Sequence, residues 1–195
     1  SKEYAVLLEW HNIYYTKPAK LINTAKTVVR LGLVQWQMRL FKNYEALVSQ
    51  IEFFVDVVSD YQSDFILFPE LFNAPLMADY NHLNEAEAMR SLASYTDRLL
   101  ETFSNFAITY NINIITGSMP QIIGEHMYNV GYLCRRDGSY ERYEKLHITP
   151  AEASAWGMKG GSELKVMDTD CGKIGVLICY DVEFPEISRI LADQG

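Results

Sequence analysis

The sequence predicts an α/β fold in which a mixed sheet carries helices on one face. Segments of strand composition alternate with amphipathic helical segments through the first part of the chain, and two turn-linked strand pairs follow. Alternating strands and helices predict parallel pairing, whereas strands joined by tight turns predict antiparallel pairing. The presence of both patterns in one chain indicates a mixed sheet.

The regular pattern begins at Arg30. Residues 31–37 have strand composition. Asn43 is a predicted N-cap for a helix whose apolar residues recur every three or four positions, namely Leu47, Val48, Ile51, Phe54, Val55 and Val58. Residues 64–68 form a short apolar run ending at Pro69, which is typical of a buried strand. The spacing of the apolar residues from Leu47 to Val58 predicts a helix that buries one face. In sequence this helix lies between the two predicted strands.

The later elements are predicted from the same signals. They are, in order, a helical stretch at 85–110, a buried strand at 113–118, a hairpin of strands 128–135 and 140–145, a second hairpin of strands 163–168 and 174–181, and a helix at 184–192. Asp137-Gly138 supplies the positive φ that a tight turn needs, and Gly172 occupies the corresponding place in the second hairpin.

Composition and charge exclude several classes of function. Of the 195 residues, 49% are hydrophobic and 22% are charged, which allows a substantial core without disulfides or metals. A net charge of −8 argues against a nucleic-acid partner, which needs a basic surface. Three cysteines without CxxC spacing favour a reducing compartment, and four scattered histidines argue against structural zinc. No apolar run approaches membrane-spanning length and no signal-peptide pattern is present, so we expect a cytoplasmic protein.

Residues 1–29 differ from the rest of the chain. Positions 9–15 are rich in aromatic residues, Pro18 interrupts any regular element, and 21–29 could form a short helix. We expect 1–29 to be a lead-in or the tail of a preceding module, followed by a catalytic domain over 30–195.

Three residues whose side chains could take part in catalysis lie at the ends of predicted strands, where open α/β sheets place their sites. They are Glu70, Lys145 and Cys179. Taken singly, each more often has a structural role: a loop carboxylate, a solvated lysine, or a buried thiol. Taken together, they supply a base, a cation and a nucleophile.

This combination suits covalent catalysis by a thiol. A cysteine with an unperturbed pKa of about 8.5 is mostly protonated at neutral pH. Glu70 could accept that proton as a general base. Lys145 would offset the repulsion between carboxylate and thiolate, and with the Tyr180 backbone N–H it could stabilise a tetrahedral oxyanion. One oxyanion donor is typically worth about 3–4 kcal/mol.

The sequence segments around these residues resemble three motifs of the nitrilase superfamily of carbon–nitrogen hydrolases. They are Phe68-Pro69-Glu70-Leu71-Phe72, Tyr143-Glu144-Lys145-Leu146-His147 and Gly175-Val176-Leu177-Ile178-Cys179-Tyr180-Asp181-Val182-Glu183-Phe184-Pro185-Glu186, in the family order. The similarity runs from Arg30 to the C-terminus. It implies an α-β-β-α sandwich, a Glu-Lys-Cys triad, no cofactor and no metal, a small-molecule amide substrate, and a homo-oligomer when full length.

The resemblance also suggests further site residues. Glu152 follows Lys145 by seven residues and resembles a second glutamate that orients the lysine or assists substrate positioning. Tyr180 and Asp181 stand where nitrile-cleaving members usually have Trp-Glu, which favours an amidase-like branch. Tyr180, Asp181, Trp156 and Phe184 are the candidate oxyanion or substrate contacts.

The chain looks C-terminally truncated beside this family, whose domains continue past the helix that follows the cysteine. Its lead-in resembles the junction in bacterial proteins that fuse an acetyltransferase-like domain ahead of a carbon–nitrogen hydrolase; the stretch from Trp10 to Val29 carries this resemblance.

The predicted reaction is hydrolysis of a non-peptide amide through a cysteine thioester, releasing ammonia or an amine and a carboxylic acid. One alternative is an acyltransferase, in which an amine captures the thioester. A second is a non-catalytic, truncated association module. A cysteine phosphatase would need Arg at position 185, which is Pro, and a serine hydrolase would need a G-x-S-x-G elbow, which is absent from the sequence.

Overall fold

The computed structural model describes residues 28–194, so the predicted lead-in lies almost wholly outside the described residues. The strands are β1 (Leu31–Leu33), β2 (Phe65–Leu67), β3 (Asn113–Ile123), β4 (His126–Cys134), β5 (Tyr140–Glu144), β6 (Met158–Lys159), β7 (Val166–Thr169) and β8 (Gly172–Gly175). The α-helices are α1 (Tyr44–Asp60), α2 (Glu85–Leu92), α3 (Thr96–Thr109) and α4 (Pro185–Asp193). Within residues 28–194, no helix combines the length and the apolar composition needed to cross a bilayer.

Six of the strands form one mixed sheet, as the sequence predicts. Its order is β1-β2-β3-β4-β5, with β6 beside β4. The first three strands are parallel, β4 and β5 are antiparallel to their neighbours, and β6 runs parallel to β4. Strands β7 and β8 form a separate antiparallel hairpin.

Alternation along the strands divides the core into two layers. In β4, Tyr132 points to the helices, whereas the adjacent Leu133 points to the opposite face of the sheet. The helical layer buries residues from α1, α2 and α3, among them Leu47, Ile51, Val55, Leu92, Leu99 and Phe103. The opposite face packs against the β7–β8 hairpin through Met167. Helix α4 packs against the hairpin, where the Leu191 side chain lies against Gly175. The order of layers is therefore helices, six-stranded sheet, hairpin, helix, which agrees with the expected α-β-β-α arrangement.

Local signals explain the helix ends. Asn43 is the N-cap of α1, and its side chain accepts a hydrogen bond from the Ala46 N–H at 2.9 Å, which confirms the predicted helix start. The single stretch predicted at 85–110 is wrong in detail, because a 3₁₀ turn at Ala93–Tyr95 divides it into α2 and α3. The Thr96 hydroxyl at the start of α3 donates to Pro120 O at 2.6 Å. This buried contact anchors the new helix to β3.

Two strand boundaries also differ from the prediction. Strand β3 continues to Ile123 and forms an extra hairpin with β4 around Gly124, whose φ is +60°. The strand predicted at 174–181 stops at Gly175, because its partner β7 begins at Val166, directly opposite. Cys179 consequently lies in a 3₁₀ segment, Cys179–Glu183, and not at the end of a strand.

Candidate active site

Glu70 lies in the turn after β2, and this turn is held closely against β3. The Leu71 N–H donates to Ser118 Oγ at 3.3 Å, and the Ser118 N–H donates to Pro69 O at 3.4 Å. Glycine is required at position 117 because its φ is +75° and because a Cβ there would lie 2.2 Å from the Pro69 oxygen. The backbone on both sides of Glu70 is therefore fixed by β3.

Lys145 follows β5 directly, and only 1% of its side chain is exposed. Its Nζ lies 2.8 Å from Glu70 Oε1 and 2.8 and 2.9 Å from the two Glu152 carboxylate oxygens. Burial acts to lower the pKa of Lys145, but the hydrogen bonds that it donates to Glu152 and Glu70 outweigh this effect and raise the pKa above its ordinary value. The lysine is therefore held as a cation between two carboxylates.

Glu152 opens a π-helical turn, Glu152–Trp156, and is itself buried. Its Oε2 also accepts hydrogen bonds from the Thr149 N–H and the Thr149 hydroxyl, both at 2.8 Å. Burial acts to raise the pKa of this carboxyl, but the hydrogen bonds from Lys145 and Thr149 lower it below its ordinary value. Thr149 thus holds the carboxylate in the orientation that meets the ammonium.

The Glu70 carboxylate makes its hydrogen bonds to Lys145 and to Asn129 through one oxygen. Oε1 accepts from Lys145 Nζ and from Asn129 Nδ2, each at 2.8 Å. Asn129 is completely buried in β4, and its backbone carbonyl accepts the Lys145 N–H at 2.9 Å. Asn129 therefore contacts both the base and the backbone of the lysine.

Cys179 begins its 3₁₀ segment with a φ of +47°, in the left-handed region that L-residues seldom adopt. Its thiol is exposed and lies close enough to the Glu70 carboxylate for the two groups to interact electrostatically. Desolvation and the Glu70 carboxylate raise the pKa of Cys179 above its ordinary value, while Lys145 acts in the opposite direction. The resting side chain is therefore a thiol adjacent to a base, not a preformed thiolate.

Two of the predicted pocket residues, Tyr180 and Phe184, belong to an aromatic group beside the cysteine. Phe184 stacks on His147 with ring centroids 3.7 Å apart, and Tyr180 meets Phe184 edge to face at 5.3 Å. The Tyr180 N–H lies in the first turn of a helical segment, where backbone donors have no partner within the segment. Its position is compatible with the expected oxyanion contact.

The other two predicted pocket residues are engaged elsewhere. Asp181 is 1% exposed, and both of its carboxylate oxygens accept hydrogen bonds from the protein itself. Trp156 donates through its indole nitrogen to Glu85 Oε1 at 2.5 Å, which connects the π-helical turn to α2. These contacts support positioning roles for Asp181 and Trp156.

Sequence reasoning missed three contributing residues: Asn129, His147 and Thr149. Asn129 gave a usable signal, because it stands in an apolar strand where a buried amide must find a partner. Thr149 gave a second signal, since a Thr three residues before Glu152 resembles a capping box. The contacts of His147 depend on its approach to residues 181 and 184, which the sequence does not specify.

Comparisons with known proteins agree with this arrangement. The family model "Carbon-nitrogen hydrolase" matches residues 30–195. The probable hydrolase YhcX of Bacillus subtilis is 42% identical over 196 residues, covering 100% of this chain and 38% of that protein. The crystal structure of Saccharomyces cerevisiae Nit3, a member of branch 10 of the nitrilase superfamily, has a TM-score of 0.70 at 22% identity and covers 85% of this chain and 60% of Nit3.

A third similar protein is an amidase from Nesterenkonia sp., known from its crystal structure. It has a TM-score of 0.69 at 22% identity, and the match covers 91% of this chain and 65% of the amidase. The chain thus spans less than two thirds of the length of these three relatives. The two solved structures share the fold of this chain. Because the family model matches residues 30–195, the chain belongs to the carbon–nitrogen hydrolase family.

Proposed function

We propose that this chain carries the catalytic residues of an amidase-like hydrolase, which cleaves a non-peptide amide through a thioester on Cys179. The observation that carries the proposal is the position of Lys145 Nζ, 2.8 Å from both Glu70 and Glu152, with the exposed Cys179 thiol close enough for the Glu70 carboxylate to raise its pKa. A structural ion pair would need neither a second carboxylate around the buried lysine nor an exposed thiol beside it.

In the first step, Glu70 accepts the Cys179 proton as the sulfur attacks the carbonyl carbon of the amide. The raised pKa of the thiol supports this order, because proton removal and attack must then be coupled. The carbonyl π bond breaks as the C–S bond forms, and the electron pair moves to the oxygen. The result is a tetrahedral oxyanion and a protonated Glu70.

The oxyanion would be stabilised by Lys145 and by the Tyr180 N–H. An ammonium has three N–H donors. Glu70 takes one, and the two oxygens of Glu152 lie at nearly equal distances from Nζ, so they can share a second. One N–H of Lys145 then remains for the developing negative charge.

Collapse of the tetrahedral intermediate breaks the carbon–nitrogen bond. Protonated Glu70 gives its proton to the leaving nitrogen, which departs as ammonia or an amine and leaves an acyl thioester on Cys179. Glu70, again a carboxylate, then removes a proton from water, which attacks the thioester. The acid is released and the thiol regains its proton, so atoms and charge balance over the cycle.

The proposal is tested on the full-length protein, with a panel of simple amides and detection of released ammonia. We expect turnover by the wild type and by Cys171→Ala, and none by Cys179→Ala. The reason is that the Cys179 thiol interacts with the Glu70 carboxylate and the Lys145 ammonium, whereas the Cys171 thiol contacts Asp170 and Arg136. Hydrolysis by the Cys179→Ala protein would contradict the proposal. An acylated amine as the main product, when amine is added, would identify an acyltransferase instead.

Three points stay predictions. They are self-association of the full-length protein, a cytoplasmic location, and the extent of the catalytic domain over 30–195.

A further inference from the structure

Asp181 is the most completely enclosed carboxylate near the proposed site. Its Oδ1 lies 2.8 Å from the His147 backbone nitrogen and 2.9 Å from His147 Nδ1. Its Oδ2 lies 3.3 Å from the Leu146 nitrogen and 3.2 Å from the Ile178 nitrogen. One side chain thus accepts four hydrogen bonds, three of them from backbone amides.

The four donors belong to two segments that are distant in sequence. Leu146 and His147 directly follow Lys145, whereas Ile178 directly precedes Cys179. The carboxylate therefore connects the backbone next to the lysine with the backbone next to the cysteine. Strand pairing does not make this connection, because β5 ends at Glu144 and β8 ends at Gly175.

The chemistry of the donors requires a carboxylate at this position. An ionised Asp is an acceptor only, so both oxygens can face N–H groups, whereas one end of an Asn side chain is itself a donor. His147 Nδ1 must carry its hydrogen to bond to Asp181, and stacking against Phe184 holds the ring in that orientation. Asp181 thus fixes the imidazole as well as both backbone segments.

We propose that Asp181 is a positioning residue that sets the separation between the Lys145 ammonium and the Cys179 sulfur. This inference rests on the proposed function, since it concerns the same site. It replaces the expected contact of Asp181 with substrate: Asp181 acts through the two segments that it joins. The left-handed backbone of Cys179, two residues away, is held by the same hydrogen bonds.

The test compares Asp181→Asn with Asp64→Asn, a matched change at a buried carboxylate that interacts with Arg30 and Arg136, at the opposite end of β2 from Glu70. The readout is the rate at which iodoacetamide alkylates Cys179 in folded protein, well below each melting temperature. Without Asp181, the Lys145 ammonium should lie farther from the Cys179 sulfur, so the pKa of Cys179 should rise. We expect alkylation to be about tenfold slower in Asp181→Asn, because a rise of about one pKa unit lowers the thiolate fraction about tenfold. Asp64→Asn should leave the rate unchanged.

A second measurement is kinetic and uses the full-length protein. We expect Asp181→Asn to lower kcat by about 100-fold with little change in KM, since misplacement of reacting groups by about 1 Å costs roughly that factor. His147→Ala keeps the three backbone hydrogen bonds to Asp181 but removes the imidazole, with its Nδ1 contact and its stacking on Phe184, and should have a smaller effect in the same direction.

The outcomes separate this inference from the proposed function. Cys179 alkylation that depends on Asp181, in a protein that hydrolyses no amide of the panel, would support the positioning role and contradict the amidase proposal. Equal alkylation rates in folded wild type and Asp181→Asn would overturn the positioning role, whatever the amidase activity. If Asp181→Asn does not fold, the alkylation rate in His147→Ala decides: an unchanged rate overturns the inference.

Discussion

Replacement of Glu152 by Gln should reduce both stability and catalysis, for the same structural reason. The carboxylate accepts hydrogen bonds from Lys145 and Thr149, and it supplies one of the two negative charges around the buried ammonium. Gln keeps the size but has a single acceptor oxygen, so its NH₂ group must face Lys145 or Thr149, both of which donate. Lys145 then has Glu70 as its one anionic partner among these residues.

The expected size of both effects follows from the hydrogen bonds that Gln cannot accept. A hydrogen bond to a charged group contributes about 1.5–3 kcal/mol, and removal of one partner from a buried ion pair costs up to about 3–5 kcal/mol. Because Glu70 and part of the Thr149 bonding remain, we expect the free energy of unfolding to fall by about 2–3 kcal/mol. We also expect kcat to fall by about 100-fold, since Lys145 is no longer held in place for the oxyanion.

The loss of stability should depend on pH. The pKa of Glu152 is lower in the folded protein than its ordinary value, so the unfolded chain binds more protons as the pH falls. The stabilisation is therefore complete above the ordinary pKa of a glutamate and disappears as the pH falls through the lowered value. The difference between wild type and Glu152→Gln should accordingly be largest near neutral pH and should shrink in acid.

Urea unfolding at several pH values measures this difference, with amide turnover measured in parallel. Glu45→Gln is the control, because Glu45 pairs with Arg98 on the surface, where both side chains are more than half exposed. An exposed pair of this kind contributes little, so the control should match the wild type. Equal stability of Glu152→Gln and Glu45→Gln near neutral pH would show that the buried carboxylate does not stabilise the fold in this way.

Three further predictions concern the other site contacts. Gly117→Ala should destabilise the fold by about 1–3 kcal/mol, measured by urea unfolding, because φ at this position is positive and the new Cβ would meet Pro69 O; an unchanged midpoint would contradict the close approach of the two segments. Asn129→Leu should lower kcat more than it raises KM in steady-state assays, because Glu70 loses the amide that orients its carboxylate; a change in KM alone would contradict this role. Alkylation of Cys179 should accelerate with pH beyond the range of an ordinary thiol, since its pKa is raised; a rate that levels off near neutral pH would indicate a preformed thiolate.

The sequence predicts most of the fold because its signals are local. The cap at Asn43 and the periodic apolar residues of α1 determine a helix without reference to the rest of the chain. Strand ends are different, because a strand lasts only as long as its neighbour supplies hydrogen bonds. The apolar run after Ile174 has strand composition, but β7 offers no partner beyond Gly175.

The same distinction applies to the site. Motifs predict Glu70, Lys145 and Cys179, whereas the residues that hold them follow from tertiary contacts. Asp181 is predicted to contact substrate because it lies close to the nucleophile in sequence. In the structure its carboxylate oxygens instead accept hydrogen bonds from the backbone N–H groups of residues 146, 147 and 178. Which backbone amides a buried carboxylate meets depends on how two distant segments pack, and a single sequence does not specify this.

Intact-mass spectrometry of acid-quenched protein during amide turnover would detect the proposed thioester itself. We predict an acyl adduct that maps to Cys179, that disappears when substrate is exhausted, and that is absent from Cys179→Ala. Sustained amide hydrolysis by a Cys179→Ala protein, or an adduct that maps to Cys134 or Cys171, would mean that Cys179 is not the nucleophile.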